Sequence, residues 1–277
     1  MNVLTKDIKE EDSVCDVLIL PFCEGEGPEP YKELDRLLKG LISRVMSSGE
    51  FGGKHGQLSL LHTMNMIRPA RLLLSGLGKR DEVNSEKLRQ AGGKALSYLQ
   101  GVRVRGVSLS TGLFLSLKQS PVPFLEGGLL VLYAFRRYKN KEEDTKGIER
   151  FIIILGKADR AFSASVRRTV ITSAAVNFAK DLVNTPSNDM TPTALSKSAK
   201  AISKVSKGKV SVKVFGRADA EKKGMGAFLS VARGSMEPPK FIVLRYRGGK
   251  GAPVALIGKS ITFDSGGISI KPSEGME

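Results

Sequence analysis

The stretch RLLLSGLGKRDEVNSEKLRQAGGKALSYLQGVRVRGVSL, residues 71–109, decides the fold class. Arg71 to Leu77 is a short apolar run closed by Gly78, and Val104 to Leu109 is a second one. Between them Asn84 or Ser85 can cap a helix whose apolar residues recur at helical spacing up to about Leu99. Each apolar run has strand length and the middle segment has helix length, so the order is strand, helix, strand. A chain that alternates in this way builds an α/β domain on a largely parallel sheet.

The pattern extends in both directions. Val14 to Leu20 reads as a buried strand stopped by Pro21. Tyr31, Leu34, Leu37, Leu38, Leu41, Ile42 and Val45 follow at helical spacing, which predicts one helix ending near Gly49. Leu58 to His62 and Phe151 to Leu155 read as strands, and Pro123 to Phe135 as a helix. In the second half a long helix is predicted from Ala161 to Val183, with Val166, Val170, Ala174, Phe178 and Leu182 along one stripe. Asn184 to Pro192 breaks it, and a helix begun at Thr191-Pro192 follows. Then come a strand at Val210 to Phe215, a helix after Asp219, and strands at Phe241 to Tyr246 and Val254 to Ile257. The polar run Lys139 to Gly147 reads as a surface loop. It suggests two domains, 1–150 and 151–277.

Composition narrows the function classes. The 277 residues are 41% hydrophobic and 26% charged, ordinary globular values that argue against disorder. No apolar run approaches the ~20 residues of a membrane helix, and the mixed-charge start MNVLTKDIKEED does not read as a secretory signal. Cys15 and Cys23 form neither a disulfide framework nor a zinc knuckle, which favours a reducing compartment, and a cytoplasmic protein without membrane partners is expected. With only His55 and His62, any metal site must rely mainly on other ligands. The net charge of +16 is uneven: −5 over residues 1–50, +9 over 51–150 and +12 over 151–277. Its densest part, Lys197, Lys200, Lys204 and Lys207, falls on one helix face opposite Leu195, Ala199 and Ile202. A solvated face explains that stripe better than a phosphate-binding one. The 6% aromatic content and the absence of Trp offer little for base stacking.

Two glycine motifs fail on inspection. Gly258-Lys259-Ser260 resembles the end of a phosphate-binding loop, but the glycine required five positions before Gly258 is Pro253. Gly25-Glu-Gly27 lacks the third glycine of a dinucleotide fingerprint and has Pro30 there instead. The informative stretch is VALIGKSITFDSGGISIK, residues 254–271. A strand ends and delivers Lys259, Asp264 and Lys271 into Gly-rich turns, where open α/β sheets bind ligands. A carboxylate can bridge two divalent cations, and a lysine can join it only as a neutral amine. Deprotonating a free lysine at pH 7 costs ~4.6 kcal/mol, which a neighbouring dication can offset. A plain surface Asp–Lys pair is the competing reading.

The longer stretch GKSITFDSGGISIKPSEGM, residues 258–276, resembles the signature of the leucyl (cytosol) aminopeptidase family of two-metal peptidases. NTPSNDMTPTAL at 184–195 and MGAFLSVARGSMEPPKFIVLRYRG at 225–248 resemble its catalytic domain in the same order. The first ~150 residues are compatible with its variable α/β N-terminal domain. The resemblance implies that Lys259 binds one metal, that Asp264 touches both, and that Lys271 contacts the substrate and stabilises the oxyanion. It implies release of N-terminal residues, leucine among them, from peptides by hydrolysis at two divalent ions, with Zn²⁺, Mn²⁺ and Mg²⁺ the usual metals. It further implies a cytoplasmic homo-hexamer.

Two departures follow. Ser260 stands where that family often has glycine. The family's further metal-binding Asp, an Asp-x-Glu pair and a bicarbonate-holding Arg would fall beyond Glu277. The expectation is an N-terminal domain joined to an incomplete α/β metallopeptidase domain, inactive as these 277 residues alone. A non-catalytic DNA-binding or scaffold relative is the alternative of a different class, which the charge of +16 leaves open.

Overall fold

The computed structural model describes residues 1–139, 147–155 and 160–263, in two compact units, Met1–Phe178 and Ala179–Glu277. In the first unit the elements run β1 (Asn2–Lys6), β2 (Val17–Phe22), α1 (Lys32–Leu37), α2 (Leu41–Ser47), β3 (Leu58–His62), β4 (Arg71–Gly76), α3 (Ser85–Gly101), β5 (Gly106–Ser110), α4 (Gly112–Ser116), α5 (Val122–Val131) and β6 (Arg150–Ile154). The strands form one sheet in the order β1-β6-β5-β2-β4-β3. Every neighbouring pair is parallel except β3 with β4 at the edge, so the expected mostly parallel α/β sheet is present.

Its apolar residues divide between two layers because successive side chains of a strand point to opposite faces. Val17, Ile19, Val107, Leu109, Phe151 and Ile153 face α3 and α5, meeting Leu88, Leu96, Leu99 and Phe124. Leu18, Leu20, Leu72, Leu74, Ile152 and Ile154 face the other way, onto Tyr31, Leu34, Leu38, Ile42 and Phe51. Two apolar layers explain why these strands read as continuous apolar runs rather than alternating ones. Asn84 caps α3 as expected, its Oδ1 accepting from the N–H groups of Glu86 and Lys87 at 3.0 Å.

Glycines set the spacing of α3 and α5. A Cβ on Gly92 would stand 1.9 Å from the Phe124 carbonyl oxygen, and one on Gly127 would stand 1.8 Å from that of Arg89. Backbone therefore touches backbone at this crossing, and Arg89 ties the helices together by donating to Glu126 at 2.9 Å.

Three local expectations are corrected. Pro21 does not stop β2; it lies within the strand, opposite Ser75 of β4. The ladder to β5 already ends at Ile19, so a residue lacking an N–H is tolerated in an otherwise central strand. The helix predicted over Tyr31 to Val45 is two short helices, α1 and α2, separated at Lys39 and Gly40, which have φ of 53° and 77°. Buried Asp35 enforces the break: its Oδ1 accepts from the N–H of Ile42 at 2.8 Å and of Ser43 at 3.3 Å, and its Oδ2 accepts from the Ser43 hydroxyl. Val254 to Ile257 forms no strand; Val254, Leu256 and Ile257 are 87%, 95% and 96% exposed. A strand exists only with a hydrogen-bonded neighbour, and no described residue supplies one there.

Helix α6 (Arg160–Asn184) buries Val166 in the first unit, and its Asn177 donates to the Leu129 carbonyl at 3.4 Å. The expected stripe is only partly inward, for Ala174 and Phe178 are exposed. The compact units divide inside α6, whereas the charge shift near residue 150 coincides with β6, a strand of the first sheet. Of the polar run expected at the boundary, residues 140–146 lie outside the described residues.

The second unit continues with α7 (Pro192–Val205), β7 (Val210–Phe215), α8 (Arg217–Lys222), α9 (Gly226–Val231) and β8 (Phe241–Tyr246). Thr191 caps α7 by accepting from the Ala194 N–H at 3.2 Å. Lys197, Lys200, Lys204 and Lys207 are all exposed while Ala199 is buried, in line with a solvated stripe. Helix α8 starts before Asp219, whose Oδ2 accepts from the Gly216 N–H at 3.0 Å. Strands β7 and β8 pair antiparallel from Val210↔Tyr246 to Phe215↔Phe241.

The α3–α5 contact yields a direct test. Gly92→Ala and Gly127→Ala should each lower stability by roughly 1–3 kcal/mol or more, since the added methyl collides with backbone. Gly101→Ala, whose Cβ meets nothing within 4 Å, should not be destabilising. Thermal unfolding of the three variants would decide.

Candidate functional site

The three residues picked from the sequence are unequally placed. Lys259 lies in the extended segment after β8 and is exposed. Asp264 and Lys271 lie outside the described residues, as do Gly266 and Gly267 between them. Among the described residues, no group of three or more His, Cys, Asp or Glu side chains gathers to hold a metal ion.

The segments that lead to Lys259 are ordered by short-range bonds. After α6, the Thr185 hydroxyl donates to the Asp181 carbonyl at 2.7 Å. The N–H groups of Asp189 and Met190 both turn back to the Pro186 carbonyl, at 2.9 and 2.8 Å. That turn delivers Thr191 to its capping position and buries Met190. Thr193, in the first turn of α7, donates to Glu237 Oε2 at 3.2 Å. One hydrogen bond thus joins the stretch 184–195 to the stretch 225–248, which sequence reading had singled out separately. Pro239 is buried just before β8, and the Tyr246 ring closes over Gly248, where a Cβ would fall 2.1 Å from it.

Other chemistry-bearing groups are structural. His55 places Nδ1 3.3 Å from the Leu77 carbonyl and Nε2 3.1 Å from Gln90 Oε1, which ties its loop to β4 and α3. A cavity of about 440 Å³ opens where β1, β5 and β6 end, lined by Asp7, Lys9, Glu10, Thr111, Leu115 and Ile154 among others. Sequence reading did not foresee it. Its polar lining already serves the fold: the Thr111 hydroxyl donates to the Ile154 carbonyl at 2.6 Å, and Glu10 accepts from the Ser110 hydroxyl at 2.8 Å.

Both cysteines are free and buried. Burial pushes the Cys23 thiol up to about 11, with Glu26 adding to the rise and Arg80 opposing it. Burial likewise raises the Cys15 thiol, against hydrogen bonds from Ser108 and Ser13. Neither is a nucleophile at neutral pH, because the thiolate is the reactive form. With a thiol near 11, the thiolate fraction at pH 8 is on the order of 10⁻³. Ellman's reagent at pH 8 should therefore label neither cysteine promptly in the folded protein and both in denaturant. Rapid labelling of the folded form would contradict the burial.

Comparison with known proteins bears on the whole chain. The N-terminal domain of the cytosol aminopeptidase family matches residues 19–142, and that family's catalytic domain matches residues 177–277. A probable cytosol aminopeptidase of Geobacter sp. (strain M21) is 38% identical over 264 residues, covering 94% of this chain and 53% of that protein. A mutant of tomato leucine aminopeptidase superposes with a TM-score of 0.83 at 25% identity, over 97% of this chain and 55% of that one. The bottromycin maturation enzyme BotP in complex with Mn shares the fold, with a TM-score of 0.67 at 20% identity over 84% of this chain and 45% of its own. The chain spans about half the length of the curated relatives it matches.

Proposed function

The chain belongs to the cytosol aminopeptidase family, and from that premise we propose that the full-length protein removes N-terminal residues from peptides, leucine among them, by metal-dependent hydrolysis. One observation carries the reading. The family's N-terminal and catalytic domains both match, in order, and the catalytic match contains Lys259, Asp264 and Lys271.

The described residues do not fit a metal pair by themselves. Lys259 is exposed, and no described carboxylate cluster stands ready to join it. A lone amine holds no dication, because hard divalent ions need several oxygen ligands. In this proposal Asp264 joins Lys259 as ligand and further carboxylates come from the remainder of the full-length chain. When bound, two divalent ions supply Lewis acidity and a water of lowered pKa. Mn²⁺, Zn²⁺ and Mg²⁺ are the proposed metals, and BotP in complex with Mn is consistent with the first of them.

The chain's own groups have separate tasks. Lys259 would hold a metal ion only as a neutral amine. Asp264 would be a carboxylate ligand, its negative charge offsetting that of the ions it would hold. Lys271 keeps its proton and donates toward the oxygen of the substrate carbonyl, where charge develops as the peptide bond is attacked. A homo-hexameric assembly and a cytoplasmic location complete the proposal. No helix among the described residues is long and apolar enough to cross a membrane.

The test is release of leucine from a leucyl amide with added Mn²⁺ or Zn²⁺. Full-length protein should turn over substrate, whereas residues 1–277 alone should not, for want of ligands. In the full-length protein Asp264→Ala should abolish metal-dependent turnover, and Lys271→Ala should lower kcat by about 10²–10³, the usual effect of losing an oxyanion donor. Turnover by residues 1–277 that Asp264→Ala abolishes would show that further ligands are unnecessary. Unchanged activity in full-length Asp264→Ala would overturn the assignment of the metal site.

A further inference from the structure

Beyond the bonds already described, the cavity beside β1, β5 and β6 keeps groups that neither the fold nor the proposed hydrolysis uses. The neighbours β1, β6 and β5 run parallel, so their carboxyl ends lie at one edge of the sheet. Asp7 follows the last residue of β1, Thr111 follows that of β5, and Ile154 closes β6. All three line the cavity. Open α/β sheets bind ligands outside the carboxyl ends of their strands. At about 440 Å³ the space lies near the lower end of the range for ligand pockets, which suits one small molecule. Every lining residue belongs to the first compact unit, and none is among the residues proposed for the metal site.

Two charge signs meet on this lining without neutralising each other. Glu10 is half-buried, while Asp7 and Lys9 are exposed. Among the described residues, none of the three forms an ion pair. Ser110 donates to Oε1 of Glu10, which leaves Oε2 for another donor. A half-buried carboxylate gains most from a charged donor, since such bonds are roughly twice as strong as neutral ones. The Thr111 hydroxyl donates to the Ile154 carbonyl, so it does not compete for that oxygen. Ile8, Leu115 and Ile154 give the same cavity an apolar wall. Leu115 is 72% exposed, so it has surface left for an apolar ligand group to cover.

We propose that this cavity binds a free α-amino acid with an apolar side chain: its ammonium on Glu10 and Asp7, its carboxylate on Lys9, and its side chain against Ile8, Leu115 and Ile154. An unpaired acid and an unpaired base on one lining select a zwitterion. An inorganic anion uses Lys9 alone and meets repulsion from two carboxylates. A simple amine uses the carboxylates and leaves Lys9 without a partner. A peptide sets its two end charges at least one residue further apart, whereas Lys9 and Glu10 are neighbours in the chain. Free amino acids are what the proposed hydrolysis releases, so product would bind at a second place on the same chain.

The experiment is equilibrium dialysis of labelled L-leucine against the full-length protein and its Asp264→Ala form. Asp264→Ala should retain one saturable leucine site per chain, because it leaves the cavity untouched. In that form Glu10→Gln should weaken leucine at least tenfold; the amide oxygen still accepts from Ser110, so the fold is kept. Lys9→Gln should weaken leucine about threefold or more. Each loss has its own signature, read with labelled analogues. Isoamylamine lacks the carboxylate, so Lys9→Gln should leave its affinity within twofold. Isocaproate lacks the ammonium, so Glu10→Gln should not weaken it. Asp12→Asn removes a carboxylate of the same segment that does not line the cavity, and it should leave leucine within twofold. Loss of the site in Asp264→Ala would assign the binding to the metal centre and overturn the proposal. So would absence of saturable binding, an unaltered affinity in Glu10→Gln or Lys9→Gln, equal loss in Asp12→Asn, or tighter binding of leucylleucine than of leucine.

Discussion

Everything in the first unit depends on covering both faces of a parallel sheet. Such a sheet has no solvated side, so β2, β4 and β6 supply apolar residues alternately to two layers, while β5 gives Val107 and Leu109 to one and buried Ser108 and Ser110 to the other. Leu72 and Leu73, adjacent in sequence, end in different layers, as do Leu18 and Ile19. Helices must then lie close enough to exclude water from both. On one side Gly92 and Gly127 let α3 and α5 touch backbone to backbone, which brings Leu96 and Phe124 down onto the strands. On the other, Asp35 turns the chain sharply enough that Leu34 and Leu38 precede the bend and Ile42 follows it, all within one layer.

The second unit has little of that cover among its described residues, in a chain that spans about half the length of its curated relatives. Neither apolar layer draws a residue from it, and its described buried apolar side chains are Met190, Ala199 and Ala220, apart from Pro239. Helix α7 covers one side of a two-stranded sheet, while Val254, Leu256 and Ile257 stand in the open. Sequence composition that makes a good central strand makes a poor exposed segment, so the same residues can be strand-like by pattern and unpaired in fact. The segment leading to Lys259 therefore has its chemistry in place at the level of residue type, ahead of any ladder to fix it.

Legibility followed the range of the forces involved. Leu58–His62, Val210–Phe215 and Phe241–Tyr246 were readable to the residue because apolar pattern and flanking polar turns are local. The helix starts at Asn84 or Ser85 and at Thr191-Pro192 were readable for the same reason, and Asn84 and Thr191 prove to be the caps. Pro21 was misread because its tolerance depends on where a neighbouring strand stops, a fact about Ile19 and Leu109. The break at Gly40 was missed because it depends on the Asp35 carboxylate reaching forward seven residues to Ile42. Of the candidate site, residue types and order were legible through Lys259, Asp264 and Lys271, but the gathering of ligands is a long-range matter.

The place of β1 in the sheet has a temporal consequence. This strand begins at Asn2 yet has its sheet neighbour in β6, with Asn2 opposite Arg150 and Lys6 opposite Ile154. During synthesis the first strand leaves the ribosome long before the strand it pairs with exists. At ~5–20 residues per second the delay is roughly 7–30 s. Over that interval β2, β3 and β4 can already assemble, while Val3 and Leu4 wait with an unsatisfied backbone edge. Strand β1 is thus made long before it can be locked into its sheet, and the unit closes only when β6 slides between β1 and β5.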